Sequence, residues 1–195
     1  SIVLILNEEN QALRVEQYVS CTELPQDVCD AMQNAETQSI EQGHDWYLNL
    51  VNTVFHGDAG IRIFVLSVPN EILAVLPIRI VPESGQVIVE ALANYYTSLY
   101  QPYISERATA DRLALLLRAI LNDSPNAYKL TLAPLNTQCV GYGRLRAAMS
   151  SAGLAPFTYF CFGNWYLKAN KTWSDYLEKR PSQLRNIITR KAKSF

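Results

Sequence analysis

Three apolar runs separated by two short turn signals constrain the fold more than any other feature of the chain. The runs are Ile61–Val68, Ile72–Val81 and Gln86–Leu92, and they are rich in β-branched residues. Pro69-Asn70-Glu71 and Pro82-Glu-Ser-Gly85 separate them, and each is short enough to join two neighbouring antiparallel strands. The sequence therefore predicts an antiparallel meander of three strands.

Further helices and strands are predicted on both sides of the meander. Before it, a strand is expected over 12–20, a helix after Pro25 with Val28, Met32 and Ala35 as its apolar stripe, and a helix after Gly43 with Trp46, Leu50 and Val54 on one face. After it come a helix over 109–122, a strand over 128–133, a helix over 144–152, an aromatic strand over 157–167, and two helices that begin near Thr172 and Pro181. This order predicts an α+β fold with a mixed sheet, in which the meander is followed by crossover strands and helices cover both faces.

Composition narrows the class of protein. With 195 residues, 49% of them hydrophobic and 18% charged, the chain is expected to fold as one globular domain of ordinary size, which excludes disordered and fibrous classes. The longest apolar stretch, 72–81, contains Pro77 and Arg79 and is shorter than the ~20 residues of a membrane span. The N-terminal apolar run has no basic residues before it, so we do not expect a signal peptide.

Cysteine spacing bears on metal binding and on the compartment. The four cysteines form no C-x-x-C pair, and two histidines accompany them, so the sequence predicts no metal site. They are Cys21, Cys29, Cys139 and Cys161. Four thiols in a chain of this length are too few for a disulfide scaffold, which favours the reducing cytoplasm.

Charge is divided unevenly along a chain whose net charge is −1. Residues 168–195 contain eight basic and two acidic residues, a balance of +6, and the first 167 residues carry −7. The overall balance argues against a dedicated nucleic-acid binder, while the basic end leaves an anionic partner open. We therefore expect an acidic domain over 1–167 and a separate basic helical segment over 168–195.

Four segments carry a resemblance to a known family. They are Trp46, Leu73-Ala-Val-Leu-Pro-Ile78, Asn94-Tyr-Tyr-Thr-Ser-Leu-Tyr-Gln-Pro-Tyr103 and the C-terminal Trp…Tyr-Leu…Ser-x-x-Arg-Asn-x-Ile-x-Arg-x-x-Lys pattern that starts at Trp173. Together with the predicted order of elements, they resemble the bacterial GNAT acyltransferases grouped with cellulose-biosynthesis acetyltransferases, which are relatives of the Fem-type peptidoglycan aminoacyltransferases. The resemblance covers nearly the whole chain.

In that family the C-terminal pattern opens the second of two tandem GNAT-like domains. The resemblance implies that this chain is the N-terminal GNAT-like domain with the start of the second, and thus a piece of a longer protein. The implied activity is N-acyl transfer from acetyl-CoA or another acyl-CoA to a small-molecule or cell-envelope precursor acceptor. The alternative is a non-catalytic GNAT-like module that provides substrate specificity or docking for the active half.

A glycine-bearing motif is the candidate cofactor site that the resemblance implies. GNAT proteins bind the acyl-CoA pyrophosphate through a Gln/Arg-x-x-Gly-x-Gly/Ala turn after their fourth strand, where backbone N–H groups and a helix N-terminus face the phosphates. Gln138-Cys-Val-Gly141-Tyr-Gly143 has this pattern and precedes the helix predicted from Arg144, and Arg146 would add further positive charge. The implied cofactor-binding residues are Gln138, Gly141, Gly143 and Arg144. The alternative is an ordinary glycine-bearing loop and helix cap.

A loop rich in tyrosine is the candidate acceptor site. Four of the chain's eleven tyrosines lie within nine residues, at positions 95, 96, 100 and 103. Tyr95, Tyr96 and Tyr100 are candidate substrate-binding residues, and one tyrosine could protonate the leaving thiolate as in GNAT enzymes. The alternative is that the rings pack under the adjacent helix with their hydroxyls at the surface.

The catalytic residues stay unassigned at this stage. His44, His56, Glu90 and Asp111 are candidate general bases, and no sequence context singles out one of them. The resemblance implies an oxyanion site made by backbone N–H groups near Leu132-Ala133-Pro134, although Pro134 has no N–H to offer.

The basic C-terminal helix is the last candidate site. Arg185, with Arg190 and Lys193, could contact an anionic substrate, a CoA phosphate or, by analogy with the Fem-type enzymes, an RNA-borne donor. The alternative is that these charges are solvated or pair with an acidic surface of the second GNAT-like domain.

Overall fold

The computed structural model describes residues 2–6, 12–163 and 172–192. The chain forms two compact units, Ser1–Phe160 and Cys161–Phe195. The boundary predicted between residues 167 and 168 lies outside the described residues, as does Lys193.

The described part of the first unit contains seven strands and four helices. The strands are β1 (Ile2–Leu6), β2 (Ala12–Tyr18), β3 (Ile61–Val68), β4 (Glu71–Glu83), β5 (Gln86–Ala91), β6 (Tyr103–Ile104) and β7 (Ala127–Thr131). The helices are α1 (Gln26–Glu36), α2 (His44–Thr53), α3 (Ala110–Asp123) and α4 (Val140–Ser151). Short 3₁₀ turns at Cys21–Glu23 and Ile40–Gln42 precede α1 and α2.

The strands form one mixed sheet in the order β1-β2-β3-β4-β5-β7, and β6 pairs with β4. Every pairing is antiparallel except that of β5 with β7, which is parallel. Parallel neighbours require a crossover connection, and α3 lies in that connection. The predicted α+β class, with a meander followed by a crossover strand, is confirmed.

The meander has the predicted strands and tighter turns. Asn70 has a positive φ of 63° in the β3–β4 turn. In the β4–β5 turn both Ser84 (50°) and Gly85 (85°) have positive φ, as the type I′ hairpin turn requires. The predicted four-residue turn is thus reduced to two residues, because β4 continues through Pro82 to Glu83.

The core lies on both faces of the central strands. Ile63, Phe64, Val65 and Leu66 of β3 are all buried, and successive strand residues point to opposite faces, so both faces are covered. Helix α1 packs on β4, and α3 packs on β2 and β3. The predicted helix over 109–122 is confirmed as α3, with Thr109 as its N-cap, and it buries Leu113, Leu116, Leu117 and Ile120.

The apolar face predicted for the second helix is confirmed at Leu50 and wrong at Val54. Helix α2 buries Tyr47 and Leu50, whereas Val54 lies beyond the last helical residue and is exposed. Trp46 is half-buried against the core. Each four-residue step advances about 40° around a helix of 3.6 residues per turn, so a stripe spaced four apart turns away from the face on which Tyr47 and Leu50 are buried.

Two further expectations are corrected. The helix predicted from Arg144 begins at Val140, so the glycines of the Gln138–Gly143 motif are helical. The aromatic strand predicted over 157–167 is absent over 157–163, and its remaining residues lie outside the described part. Aromatic content favours a strand, but a strand also needs a neighbouring strand to form hydrogen bonds with. The local residue pattern does not show whether such a neighbour is present. The strands β1 and β6 were not predicted.

The second unit contains two helices within 172–192. Helix α5 (Trp173–Glu178) begins with the predicted cap, in which the Thr172 hydroxyl accepts from the Asp175 amide and the Asp175 carboxylate accepts from the Thr172 amide. The rings of Trp173 and Tyr176 stack at 5.3 Å. Helix α6 (Ser182–Ala192) buries no residue.

Candidate functional site

Two candidate segments, the tyrosine loop and the Gln138–Gly143 motif, follow the parallel strands β5 and β7 at one edge of the sheet. Their pairing covers Val87–Glu90 on β5 and Ala127–Thr131 on β7. Residues 92–109 then lead to α3, and residues 132–139 lead to α4. The carboxyl ends of parallel strands share one edge, and α/β folds bind ligands preferentially outside that edge.

Tyr100 is buried at this edge and joins β4 to the segment that follows β7. It is 1% exposed; its hydroxyl donates to the carbonyl of Pro77 on β4 at 2.9 Å, and its amide donates to the carbonyl of Pro134 after β7 at 2.6 Å. Burial, and to a smaller extent Tyr47, raises the pKa of Tyr100 well above 10. The Tyr100 side chain is thus a neutral hydrogen-bond donor to the main chain. Pro134, which belongs to the predicted oxyanion segment, takes part through its carbonyl oxygen.

Tyr95 and Tyr96 have the opposite environment. They are 95% and 84% exposed, and their rings meet edge to face at 5.5 Å between centroids. The turn that carries them is closed by Asn94 and Thr97: the Tyr96 amide donates to Asn94 Oδ1 at 3.1 Å, and the Asn94 amide donates to Thr97 Oγ1 at 3.0 Å. Thr97 is itself buried, so the exposed rings stand on a fixed base.

Glu41 ties this loop to the connection between α1 and α2. Its carboxylate accepts from the Leu99 amide and from Gln101 Nε2, both at 3.2 Å.

Tyr103, in β6, is half-buried against the core. The loop therefore divides its four tyrosines between the interior (Tyr100 and Tyr103) and the solvent (Tyr95 and Tyr96), a division between the two alternatives that the sequence left open.

The glycines of the Gln138–Gly143 motif lie in the first turn and a half of α4. A Cβ on Gly141 would approach Ile104 at 3.8 Å, and one on Gly143 would meet nothing within 4 Å. Neither crowding nor a positive φ requires glycine here. The motif follows β7, the fifth of the predicted strands, whereas residues 92–109, which follow the fourth, contain no glycine.

The N-terminus of α4 is open to a ligand. Its N-cap, Cys139, makes no side-chain hydrogen bond to the helix, and Gln138, Cys139 and Val140 are exposed. The first amides of a helix have no partner within the helix, so they keep the capacity to bind an anion. These residues fit a phosphate group.

Arg144 is engaged elsewhere. Its Nη1 donates to the carbonyl oxygens of Ser105 (2.7 Å), Glu106 (3.0 Å) and Ala108 (2.7 Å). Its Nε is buried and has no hydrogen-bond partner among the described residues. The guanidinium thus links α4 to the turn that leads into α3.

Glu90 belongs to a cluster that sequence reasoning missed. Arg79 on β4 donates to Glu90 Oε1 at 2.6 Å and to Asp58 Oδ2 from Nε at 2.8 Å, and its guanidinium lies 4.4 Å from the ring centroid of Phe55. Asp58 Oδ1 also accepts from the Gly60 amide at 2.8 Å. The Asp58-Ala59-Gly60 sequence is a turn signal, but nothing in it indicates the arginine 21 residues later.

The other candidate bases differ in their surroundings. His44 is half-buried; its Nε2 lies 3.2 Å from the Cys21 carbonyl oxygen, and its Nδ1 lies 3.3 Å from Asp45. His56 and Asp111 are exposed, and Asp111 is in the first turn of α3. Arg185 is exposed on α6 in the second unit.

Among the described residues, no group of three or more His, Cys, Asp or Glu side chains could hold a metal ion. No helix in the described ranges combines the length and the apolar character needed to cross a membrane.

Comparison with known proteins identifies the fold. No protein-family model matches the sequence, and no curated protein matches it. An aminoglycoside acetyltransferase from an uncultured soil metagenomic sample, in complex with sisomicin, matches with a TM-score of 0.51 and 12% identity, over 80% of this chain and 97% of that chain. The chain has the GNAT acetyltransferase fold.

Other solved structures with the GNAT fold are similar to this chain. The same soil-metagenome enzyme in complex with trehalose gives a TM-score of 0.50 and 12% identity, over 80% of this chain and 97% of that chain. A ribosomal-protein-alanine N-acetyltransferase from Brucella melitensis biovar Abortus 2308 gives 0.48 and 12%, over 79% and 100%. At this identity the match to the soil-metagenome enzyme establishes the fold alone, and the tandem type stays a prediction.

Proposed function

We propose that this chain is an N-acyltransferase domain that transfers an acyl group, acetyl foremost, from an acyl-CoA-type thioester to an amine. The observation that carries the proposal is the GNAT sheet, whose parallel pair β5–β7 sends both of its connections to one edge. That edge holds an exposed aromatic pair on one connection and an uncapped helix N-terminus on the other. Two sides of a transfer reaction, acceptor and donor, thus have candidate surfaces at the same edge.

The donor side of the proposal uses the N-terminus of α4. The first amides of α4, with Gln138, Gly141 and Gly143, would hold the diphosphate of the donor, since Cys139 does not cap them. Arg144 would support this surface from behind through its bonds to the turn before α3. The thioester supplies an activated acyl carbonyl.

The wider setting is also part of the proposal. We infer a tandem protein in which residues 1–167 form the first GNAT-like domain and 168–195 begin the second, its partner in the same chain. The basic balance of that segment supports a role for Arg185 in contacting an anionic group, either a CoA phosphate or an RNA-borne donor. All four cysteines are free thiols, which supports a cytoplasmic location; the acceptor would be a small molecule or a cell-envelope precursor.

Thermal unfolding with acetyl-CoA tests the donor side. A ligand that binds the native state alone stabilises it by about 2.7 kcal/mol at 100 times its Kd, which corresponds to a rise in Tm of roughly 5–10 °C for a chain of this size. We expect such a rise at millimolar acetyl-CoA, together with release of free CoA thiol when amines are added.

A matched pair of variants locates the donor on α4. Gly143 has open space around it, so Gly143→Glu and Gly143→Gln should both fold. The glutamate would repel a phosphate, and we expect it to reduce the acetyl-CoA shift more than the glutamine does. If wild-type protein shows no shift at millimolar acetyl-CoA, the donor proposal fails and the chain is the non-catalytic module.

A further inference from the structure

The exposed tyrosine pair is held in place by three sets of contacts. The Asn94–Thr97 turn closes the loop at its tip, Tyr100 fastens it to β4 and to the segment after β7, and Glu41 holds Leu99 and Gln101. The two aromatic rings are exposed to water on a loop whose backbone is fixed. They form a preorganised binding surface, because the loop has little conformational entropy left to lose when a ligand binds.

The surroundings of this loop carry negative charge. Residues 15–61 contain eight acidic residues and no lysine or arginine, and residues 80–106 contain three acidic residues and likewise no lysine or arginine. The arginines that bracket the second stretch are engaged: Arg79 with Asp58 and Glu90, and Arg107 with Glu71. The loop thus lies within the second of these stretches, and Glu41 of the first stretch contacts it directly.

Four acidic side chains of the first stretch lie on α1, on α2 or in the 3₁₀ turn before α1, and α1 contacts α2. Glu23, Asp27, Asp30 and Asp45 are exposed. Asp27 and Asp30 are on α1 and Asp45 is in the first turn of α2. A surface of this kind raises the local concentration of cations and repels anions.

We propose that the loop of residues 94–103 recognises acceptors that carry several positively charged amino groups, with the ring faces of Tyr95 and Tyr96 against the ammonium groups. A cation is attracted to the face of an aromatic ring by the ring's quadrupole, and the acidic surroundings favour such ligands over neutral or anionic ones. The inference names the acceptor class for the proposed acyltransferase and rests on that function.

The test is calorimetric titration with spermidine at low ionic strength, in the absence of donor. The comparison ligands are n-butylamine, with one ammonium group, and glucose, with none. We expect spermidine to bind more tightly than both, and its binding to weaken as salt is added, because exposed charges are screened. Binding of glucose or n-butylamine as tight as that of spermidine would overturn the proposal.

Variants separate the contribution of the ring faces from that of the tyrosine hydroxyls. The double variant Tyr95→Ala/Tyr96→Ala should weaken spermidine binding about tenfold, whereas Tyr95→Phe/Tyr96→Phe should change it by less than about twofold, since phenylalanine keeps the ring face. Tyr159→Ala, at another exposed tyrosine of the same unit, should have no effect. Unchanged binding in the double alanine variant would contradict the proposal.

The same proteins distinguish this proposal from the function on which it rests. The acetyl-CoA shift in Tm should persist in Tyr95→Ala/Tyr96→Ala. Spermidine binding through the two tyrosines without any acetyl-CoA shift would refute the acyltransferase and leave the recognition of polycations standing. An acetyl-CoA shift without tyrosine-dependent spermidine binding would refute the acceptor class alone.

Discussion

Arg79 shows how one residue can join three elements of the chain. Its guanidinium binds Asp58 from the loop before β3 and Glu90 on β5, while the arginine itself lies on β4. Burial acts to raise the pKa of Asp58, but the Gly60 amide and the Arg79 guanidinium outweigh it, so that pKa lies below its ordinary value of 3.8. Asp58 therefore stabilises the fold as a carboxylate, and the contribution belongs to pH values above its pKa.

Replacing Asp58 by asparagine should lower the free energy of unfolding at neutral pH. We expect a loss of about 1–2 kcal/mol, because the Arg79 charge loses one of its two carboxylate partners. The wild-type contribution is complete above pH ~4 and is lost as pH falls through the lowered pKa, so Asp58→Asn should flatten the pH dependence of stability below pH ~4.

Urea denaturation at several pH values measures this difference. Asp30→Asn, at an exposed carboxylate of α1, is the control and should change stability by less than about 0.5 kcal/mol. Equal losses in the two variants at neutral pH would show that the Arg79 cluster adds no stability of its own.

At the scale of elements, the joint between α3 and α4 decides what the glycine motif can do. The Arg144 guanidinium donates hydrogen bonds to the carbonyl groups of Ser105, Glu106 and Ala108. These bonds fix α4 to the turn that precedes α3. The N-terminus of α4 stays uncapped. This arrangement assigns a positioning role to the arginine and leaves any direct contact with an anion to the amides.

Arg144→Ala should destabilise the protein, because three carbonyl groups lose a charged donor. We expect a loss of about 2 kcal/mol in the free energy of unfolding. Arg146→Ala is the matched control on the same helix, since Arg146 is exposed, and it should change stability by less than about 0.5 kcal/mol. Urea denaturation compares the two, and an equal effect of both variants would remove the structural role assigned to Arg144.

At the scale of the whole molecule, the core lies within one part of the chain. Among the residues whose burial the structure describes, those of the core fall between Leu13 and Ala148, and α5 and α6 bury none. A fragment of residues 1–160 thus retains every described core contact.

That fragment should unfold in one cooperative transition. We expect its free energy of unfolding to lie within about 1 kcal/mol of the value for the full chain, as measured by urea denaturation followed by circular dichroism. Loss of the cooperative transition in the fragment would show that residues 161–195 are needed to complete the fold.

The sequence by itself determined the meander, the helix α3 and the cap of α5. Each depends on residues close together in the chain: β-branched runs bounded by turns, leucines at helical spacing, and Thr172 with Asp175. The expectation of a GNAT fold rested on a resemblance, carried by four short segments together with the order of such elements. Some local predictions were wrong. Helix α2 buries Tyr47 and Leu50 and leaves Val54 exposed, and the aromatic run 157–163 forms no strand.

Only the tertiary structure decided what the candidate site residues do. Four nearby tyrosines looked alike in sequence, yet Tyr100 is buried under a bond to Pro77, whereas Tyr95 and Tyr96 stand in solvent. Arg144 found its partners 36 to 39 residues away, and Glu41 holds a loop 58 residues later. Spacing along a strand or helix fixes which face a side chain takes, but which distant groups meet that face depends on how the elements pack.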